Sequence, residues 1–255
     1  IPGHKPKSRE GGTYVKRYAA WLLFFAALAL FGAQTMRAFG VVAFHADFFE
    51  KKGTVVVDAG HGGEDGGATG VHGELEKDIN LAIALELQRL LEQHQFQVVM
   101  VRDWDTDLSD QNLSTVAQRK RSDLQQRLRL VEESGGCVLL SIHQNFFTES
   151  QYSGAQVFYS ANDPRGEALA EAIRASIVET LQPENTRQNK VGEGVYLLEQ
   201  CQVPAVLVEC GFLSNPEEAA ALADPDYQKR MAQAIYNGLV RYLKETPANE
   251  SLANG

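Results

Sequence analysis

Two histidines, His61 and His143, and two carboxylates, Glu76 and Glu209, are the residues of this 255-residue sequence whose types and settings could do chemistry together. His61 follows VVVDAG, His143 directly follows VLLSI, and Glu209 follows PAVLV. Such apolar runs read as buried strands, and α/β proteins gather functional groups where parallel strands end. One sheet edge therefore collects all three residues. Glu209, after five apolar positions, is a carboxylate that is costly to bury without a partner. Glu76 lies at the beginning of the helical stretch LEKDINLAIALELQRLLEQ, where an acidic side chain is favoured by the helix dipole and needs no other role. Two imidazoles and one carboxylate match a catalytic zinc site with three protein ligands and one position open to water, a second carboxylate serving as base. There is no HExxH, so this is not the helix-borne arrangement of a metalloprotease.

The loop after the first strand run has seven glycines between Gly60 and Gly73, which free the backbone to fold tightly around something small. A phosphate cradle is the rival reading. The loop lacks GxxxxGK[ST] and an immediate helix start, and it contains His61, Glu64 and Asp65, which suit a cation better than an anion. Of the other histidines, His4 and His45 precede the first strand and His94 follows a polar helix. His72 stays open as a substitute ligand, being close to His61 in sequence.

These residues are positioned by short β-rich runs alternating with helix-period stretches from Gly53 onward. That pattern predicts a single α/β domain with a largely parallel sheet of about six strands and helices on both faces. The strands are expected at Thr54–Asp58, Phe96–Arg102, Val138–Ile142, Ala155–Tyr159, Gly194–Leu198 and Ala205–Val208. Helices are expected at Leu75–Gln93, Ser122–Glu133, Arg165–Leu181, Pro216–Leu222 and Pro225–Lys244. Asn215-Pro216 and Asp224-Pro225 each set a capping side chain before a proline at the first helical position. Residues 103–121 read as a long polar surface loop, and no internal repeat is present.

Residues 18–36 contain no charge, and as a helix of 19 residues they would span about 28 Å, near the thickness of a bilayer core. Lys5, Lys7, Arg9, Lys16 and Arg17 precede this run and Arg37 comes directly after it. The positive-inside bias thus leaves residues 1–17 in the cytoplasm and exports the chain beyond the apolar run. A retained anchor is the preferred reading over a cleaved signal peptide. Residues 37–52 serve as a linker, 53–244 as the catalytic domain, and 245–255 as a disordered tail. Residues 53–255 hold 16 Lys+Arg against 30 Asp+Glu, near −14, so the exported domain has no electrostatic reason to bind nucleic acid. Cys137, Cys201 and Cys210 are too few and too odd in number for a disulfide framework. One disulfide remains open.

Read in order, DAGHGGEDGGATG, GELEKDINLA, LLSIHQN, SGAQVFY, GVYLLEQCQVPAVLVECGFLSNPEEAAALA and a closing amphipathic helix resemble the zinc-dependent N-acetylmuramoyl-L-alanine amidases of the type-3 family. The resemblance spans roughly residues 53–244. It implies one Zn²⁺ per chain held by His61, Glu76 and His143, with Glu209 catalytic. Ala59 departs from the family's common proline, and Gln144-Asn145-Phe146 departs after the histidine, which puts substrate contacts in question. Ten residues separate His143 from Gly154, too few for the autoinhibitory helix that some division members insert there.

Within the family the sequence is most similar to the germination-specific amidases of spore-forming bacteria. That implies a peptidoglycan substrate in the spore cortex, removal of stem peptides ahead of muramic-δ-lactam formation, and a forespore or cortex compartment. The chemistry then expected is hydrolysis of the amide between the muramic lactyl group and L-alanine, with Glu209 as base and then acid. A zinc peptidase or carboxypeptidase cutting within the stem peptide is the alternative, as is a vegetative autolysin or division amidase. A wall-binding protein with a lapsed metal site is a third class. The absent insert and the acidic domain suggest a separate protein activator.

Overall fold

The computed structural model describes residues 52–246. The membrane segment expected at 18–36, the stretch before it, nearly all of the linker and the tail beyond residue 246 lie outside these residues. Among the described residues no helix is long and apolar enough to cross a membrane.

Six strands form one sheet: β1 (Lys52–Ala59), β2 (Phe96–Met100), β3 (Val138–Asn145), β4 (Gln156–Tyr159), β5 (Lys190–Val191) and β6 (Ala205–Phe212), in the order β2-β1-β3-β6-β4-β5. All neighbours run parallel except β4, which is antiparallel to β6. Among the described residues six helices cover the sheet: α1 (Glu76–Gln93), α2 (Val116–Glu133), α3 (Arg165–Thr180), α4 (Tyr196–Gln200), α5 (Pro216–Ala223) and α6 (Pro225–Glu245).

Alternation along the strands divides the core between two faces. Val55, Val57, Leu140, Ile142, Val206 and Val208 point to one side, where they pack with Ile83 and Leu87 of α1, Ile173 of α3 and Ile235 of α6. Val56, Leu139 and Leu207 point to the other, against Val131 of α2 and Leu197 and Leu198 of α4. Both faces are covered, which is why the central strands read as continuous apolar runs.

The two proline-led helix starts form as the sequence predicts. Asn215 Oδ1 accepts from the Glu217 and Glu218 amides, and Asp224 Oδ1 from those of Asp226 and Tyr227.

Two expectations are corrected. Gly194–Leu198 is not a strand: after Gly194, at φ +76°, residues Tyr196–Gln200 form α4, and the sixth strand is the two-residue β5. A run as short as VYLL is apolar enough for either element, and here a single helical turn seats both Leu197 and Leu198 in the core. The second helix begins at Val116 rather than Ser122, so the preceding loop is shorter. Thr115 caps it, with the Thr115 hydroxyl accepting from the Gln118 amide and the Gln118 side chain returning to the Thr115 amide. That T-x-x-Q capping box was readable in the sequence. Cys137, Cys201 and Cys210 are all free thiols.

Candidate metal centre

The parallel strands β1, β3 and β6 end along one edge of the sheet, and the site is built there. His143 lies in β3 directly opposite Glu209 of β6. The chain leaves β1 at Ala59 and turns at once, so that His61, at φ +62°, directs its ring back over the edge. A side chain is rarely held in that left-handed conformation unless its surroundings impose it. Here Arg127 Nη2 donates to the His61 carbonyl at 2.6 Å, and the Gly62 amide donates to the Asp65 carbonyl at 2.9 Å. Glu76 enters from the other face as the first residue of α1.

These three side chains converge: one donor atom each from His61, Glu76 and His143 lie within 4.8 Å of one another. Glu76 Oε1 is 3.2 Å from His61 Nε2 and 3.0 Å from His143 Nδ1. The two rings stand edge to face with centroids 5.0 Å apart. Glycine is required where the chain passes these groups. A Cβ on Gly60 would overlap the His143 ring, and on Gly67, at φ +68°, it would stand 2.6 Å from Glu76 Oε2.

Glu76 is 4% exposed, so its placement as an ordinary solvated helix-start residue fails. Burial alone would raise its pKa, but hydrogen bonds from His143 and His61 outweigh that and hold it well below the usual carboxylate range. The backbone amides of Ala68, at 2.8 Å, and Gln144, at 3.1 Å, donate to it as well. His61 is opposed by burial yet raised to about 9 by its bonds to Asp65 and Glu76. Asp65 Oδ2 lies 2.9 Å from His61 Nδ1, the position of an outer carboxylate that orients a metal-binding imidazole.

Glu209 differs from the rest. Its Oε2 is buried and has no hydrogen-bond partner among the described residues. Burial raises its pKa to about 7, with His143 and His61 lowering and Glu76 raising it by charge. A carboxyl poised near neutrality with a bare oxygen is suited to take up and return a proton.

All four residues singled out from the sequence thus meet at one edge. His72 does not join them: its Nε2 contacts the Pro216 carbonyl at 3.2 Å. Glu64 pairs instead with Arg119, at 2.7 Å. Sequence reasoning missed the buried scaffold beneath. Arg127 of α2 binds Asp58 at 2.6 Å and Asp123 at 2.7 Å, while the Ser141 hydroxyl donates to Asp58 at 2.6 Å. Arg102 donates to the carbonyls of Ala59, Gly60 and Lys77, fastening the glycine loop from below. The Asp123–Arg127 spacing of four was the available signal.

Two imidazoles and a carboxylate, with an outer carboxylate behind one imidazole, form the borderline-to-hard donor set that suits a tetrahedral divalent ion.

A sequence profile described as N-acetylmuramoyl-L-alanine amidase matches residues 55–241. Over 192 residues the chain is 39% identical to the germination-specific N-acetylmuramoyl-L-alanine amidase of Bacillus subtilis strain 168, a match that covers 75% of this chain and 80% of that protein. Among solved structures, the CwlD amidase from Clostridioides difficile in complex with the GerS lipoprotein aligns at a TM-score of 0.74 and 38% identity, covering 76% of this chain and 100% of that one. The N-acetylmuramoyl-L-alanine amidase AmiC2 of Nostoc punctiforme aligns at 0.64 and 34% identity, covering 75% and 97%.

Proposed function

The chain belongs to the N-acetylmuramoyl-L-alanine amidase family, and we propose that it is a zinc-dependent member that strips stem peptides from muramic acid in spore-cortex peptidoglycan. The observation that carries the chemistry is the convergence of His61, Glu76 and His143 beside the unpartnered Glu209 oxygen. The cortex assignment is supported by the similarity to the germination-specific amidase of Bacillus subtilis.

His61, Glu76 and His143 would hold the ion, and Asp65 fixes the orientation of the His61 ring. Bound there, zinc supplies Lewis acidity to the scissile carbonyl and to the attacking water. Glu209 takes a proton from that water as its oxygen adds to the lactyl carbonyl carbon. As the carbon–nitrogen bond breaks, Glu209 delivers the proton to the departing nitrogen of L-alanine, one carboxyl acting as base and then as acid. The products are a lactyl carboxylate on the glycan and a peptide with a free L-alanine amine.

Mass spectrometry of sacculi digested by the zinc-loaded protein tests this reading. Released peptides beginning with free L-alanine are expected; fragments cut within the stem would replace it with the peptidase reading. The apolar, positively flanked run at residues 18–36 supports an anchor that places this domain outside the cytoplasmic membrane, and protection of the domain from protease added on the cytoplasmic side of inverted vesicles would bear it out. The relative solved in complex with a lipoprotein supports a protein partner for this chain, one that we take to be needed for full activity. Digestion of cortex sacculi at full rate by the purified chain alone would remove that need.

A further inference from the structure

A groove of about 250 Å³ opens beside Glu209, lined in part by Phe147, Tyr152, Gln156, Arg187, Lys190 and Phe212. Strand register sets it next to the site: Gln156 of β4 lies directly opposite Glu209 of β6, and Phe212 lies three residues further along the same strand. Its walls are aromatic. Phe147 meets Tyr152 edge to face at 5.2 Å, with Phe147 50% and Tyr152 40% exposed. Its cations are Arg187 and Lys190. The Arg187 guanidinium stacks 4.5 Å from the Phe212 ring centroid and is aimed by hydrogen bonds to the Ser153 carbonyl, at 2.7 Å, and to Gln156 Oε1, at 3.3 Å.

Among the described residues neither Arg187 nor Lys190 has a carboxylate within 4.0 Å, although the region from residue 53 onward carries nearly two acidic groups per basic one. The cavity on the other flank of the site is different. There Lys120 is paired with Asp65 at 3.0 Å, and Arg127 with Asp58.

We propose that the Phe147–Arg187–Lys190 groove binds the stem-peptide side of the substrate, with Arg187 and Lys190 receiving a free peptide carboxylate beyond the L-alanine and the aromatic walls receiving alanine methyls and methylene stems. The uncharged sugar chain then occupies the opposite flank, whose cations are already neutralised. This rests on the amidase reading and assigns a polarity to it. Cations without a carboxylate partner, set on an aromatic floor next to the proton-transferring carboxyl, match an acidic, partly apolar peptide in charge, a complement that a neutral glycan does not supply.

The test uses soluble N-acetylmuramoyl peptides that differ only in whether the residue after L-alanine carries a free carboxylate or its amide. The wild-type protein is expected to favour the free carboxylate about tenfold in kcat/KM, through KM, the ratio equivalent to roughly 1.4 kcal/mol for a partly exposed charge-assisted hydrogen bond. Arg187→Gln and Lys190→Gln should each lower that preference with kcat retained, and Arg187→Lys should keep part of it. Because Arg187 also braces the Ser153 carbonyl, Lys190→Gln, at an exposed position, carries the test should Arg187→Gln fold poorly. Calorimetric binding of the released peptide to the same proteins should weaken in parallel, a readout that needs no turnover. No preference in the wild type, or a preference and peptide affinity unchanged in Lys190→Gln and in folded Arg187→Gln, would overturn the proposal while leaving the amidase reading intact. Failure of the wild type to cleave either substrate, together with no calorimetric binding of the peptide, would overturn both.

Discussion

Replacing Arg127 by methionine removes the cation shared by two carboxylates and leaves Asp58, the more deeply buried, behind together with Asp123. Arg127 is 2% exposed and Asp58 1%, and their side chains meet at 2.6 Å. In the variant the hydroxyl of Ser141, at 2.6 Å, is the side-chain donor left to Asp58. Breaking a buried pair from one side costs about 3–5 kcal/mol, because the remaining charge is stranded in a poorly polarisable interior. For a domain of this size each kcal/mol shifts Tm by about 2–4 °C, so a drop of roughly 6–20 °C is expected. The sign with pH is set by Asp58. Burial pushes its pKa up, but Arg127 and then the Ser141 hydrogen bond overcome that and hold it below 3.8. In the wild type its contribution is therefore present above pH 3.8 and is lost as pH falls through the lower folded value. Without Arg127 the burial effect dominates, Asp58 takes up a proton more readily than when unfolded, and the gap between variant and wild type narrows as pH falls. Urea unfolding at pH 7 and pH 5 measures both effects. The double variant Asp58→Asn/Arg127→Met should recover at least about 1 kcal/mol relative to Arg127→Met, since the pair is coupled. A loss under about 1 kcal/mol, or no recovery in the double variant, would refute this account of the scaffold under His61.

Two further outcomes concern the site itself. Asp65→Asn removes the carboxylate that orients His61 and should weaken zinc affinity about 10–100-fold, as measured by competition with a chromophoric chelator; unchanged affinity would rule out an orienting role. In metal-free protein the raised pKa of His61, about 9 against 6.5 unfolded, contributes stability fully present below pH 6.5 and lost as pH rises through about 9. Urea unfolding in chelator across that window should show the loss, and His61→Gln should flatten it.

The fold class and the meeting of His61, His143 and Glu209 were legible because both rest on strand ends. VVVDAGH, VLLSIH and PAVLVE each place a polar side chain where an apolar run stops, and a parallel sheet brings such ends to one edge. Glu76 was legible through family resemblance alone, because nothing local separates a ligand from a helix-start carboxylate until its burial is seen. Arg127, Asp58 and Ser141 were not legible, since their partnership joins β1, α2 and β3 across 69 and 83 residues of chain. The misassigned segment at Gly194–Leu198 has a similar cause. Its apolar run suits strand and helix alike, and only packing against the sheet face beside α2 decides between them. The departure at Gln144-Asn145-Phe146 acquires a partial meaning: the Gln144 amide supports Glu76, and Gln144 Nε2 bonds Asn80, while Phe146 is exposed.

On the proposed reading, His61, Glu76 and His143 hold one zinc ion while Glu209 moves the proton. Zinc content and turnover of Glu209→Gln, measured on the same preparation with muropeptide release followed by mass spectrometry, test it most directly. One zinc per chain with release of L-alanine-terminated peptides reduced by at least about 100-fold is the predicted result, the scale typical of a lost general acid–base. Full turnover in that variant, or loss of the metal along with the activity, would contradict it.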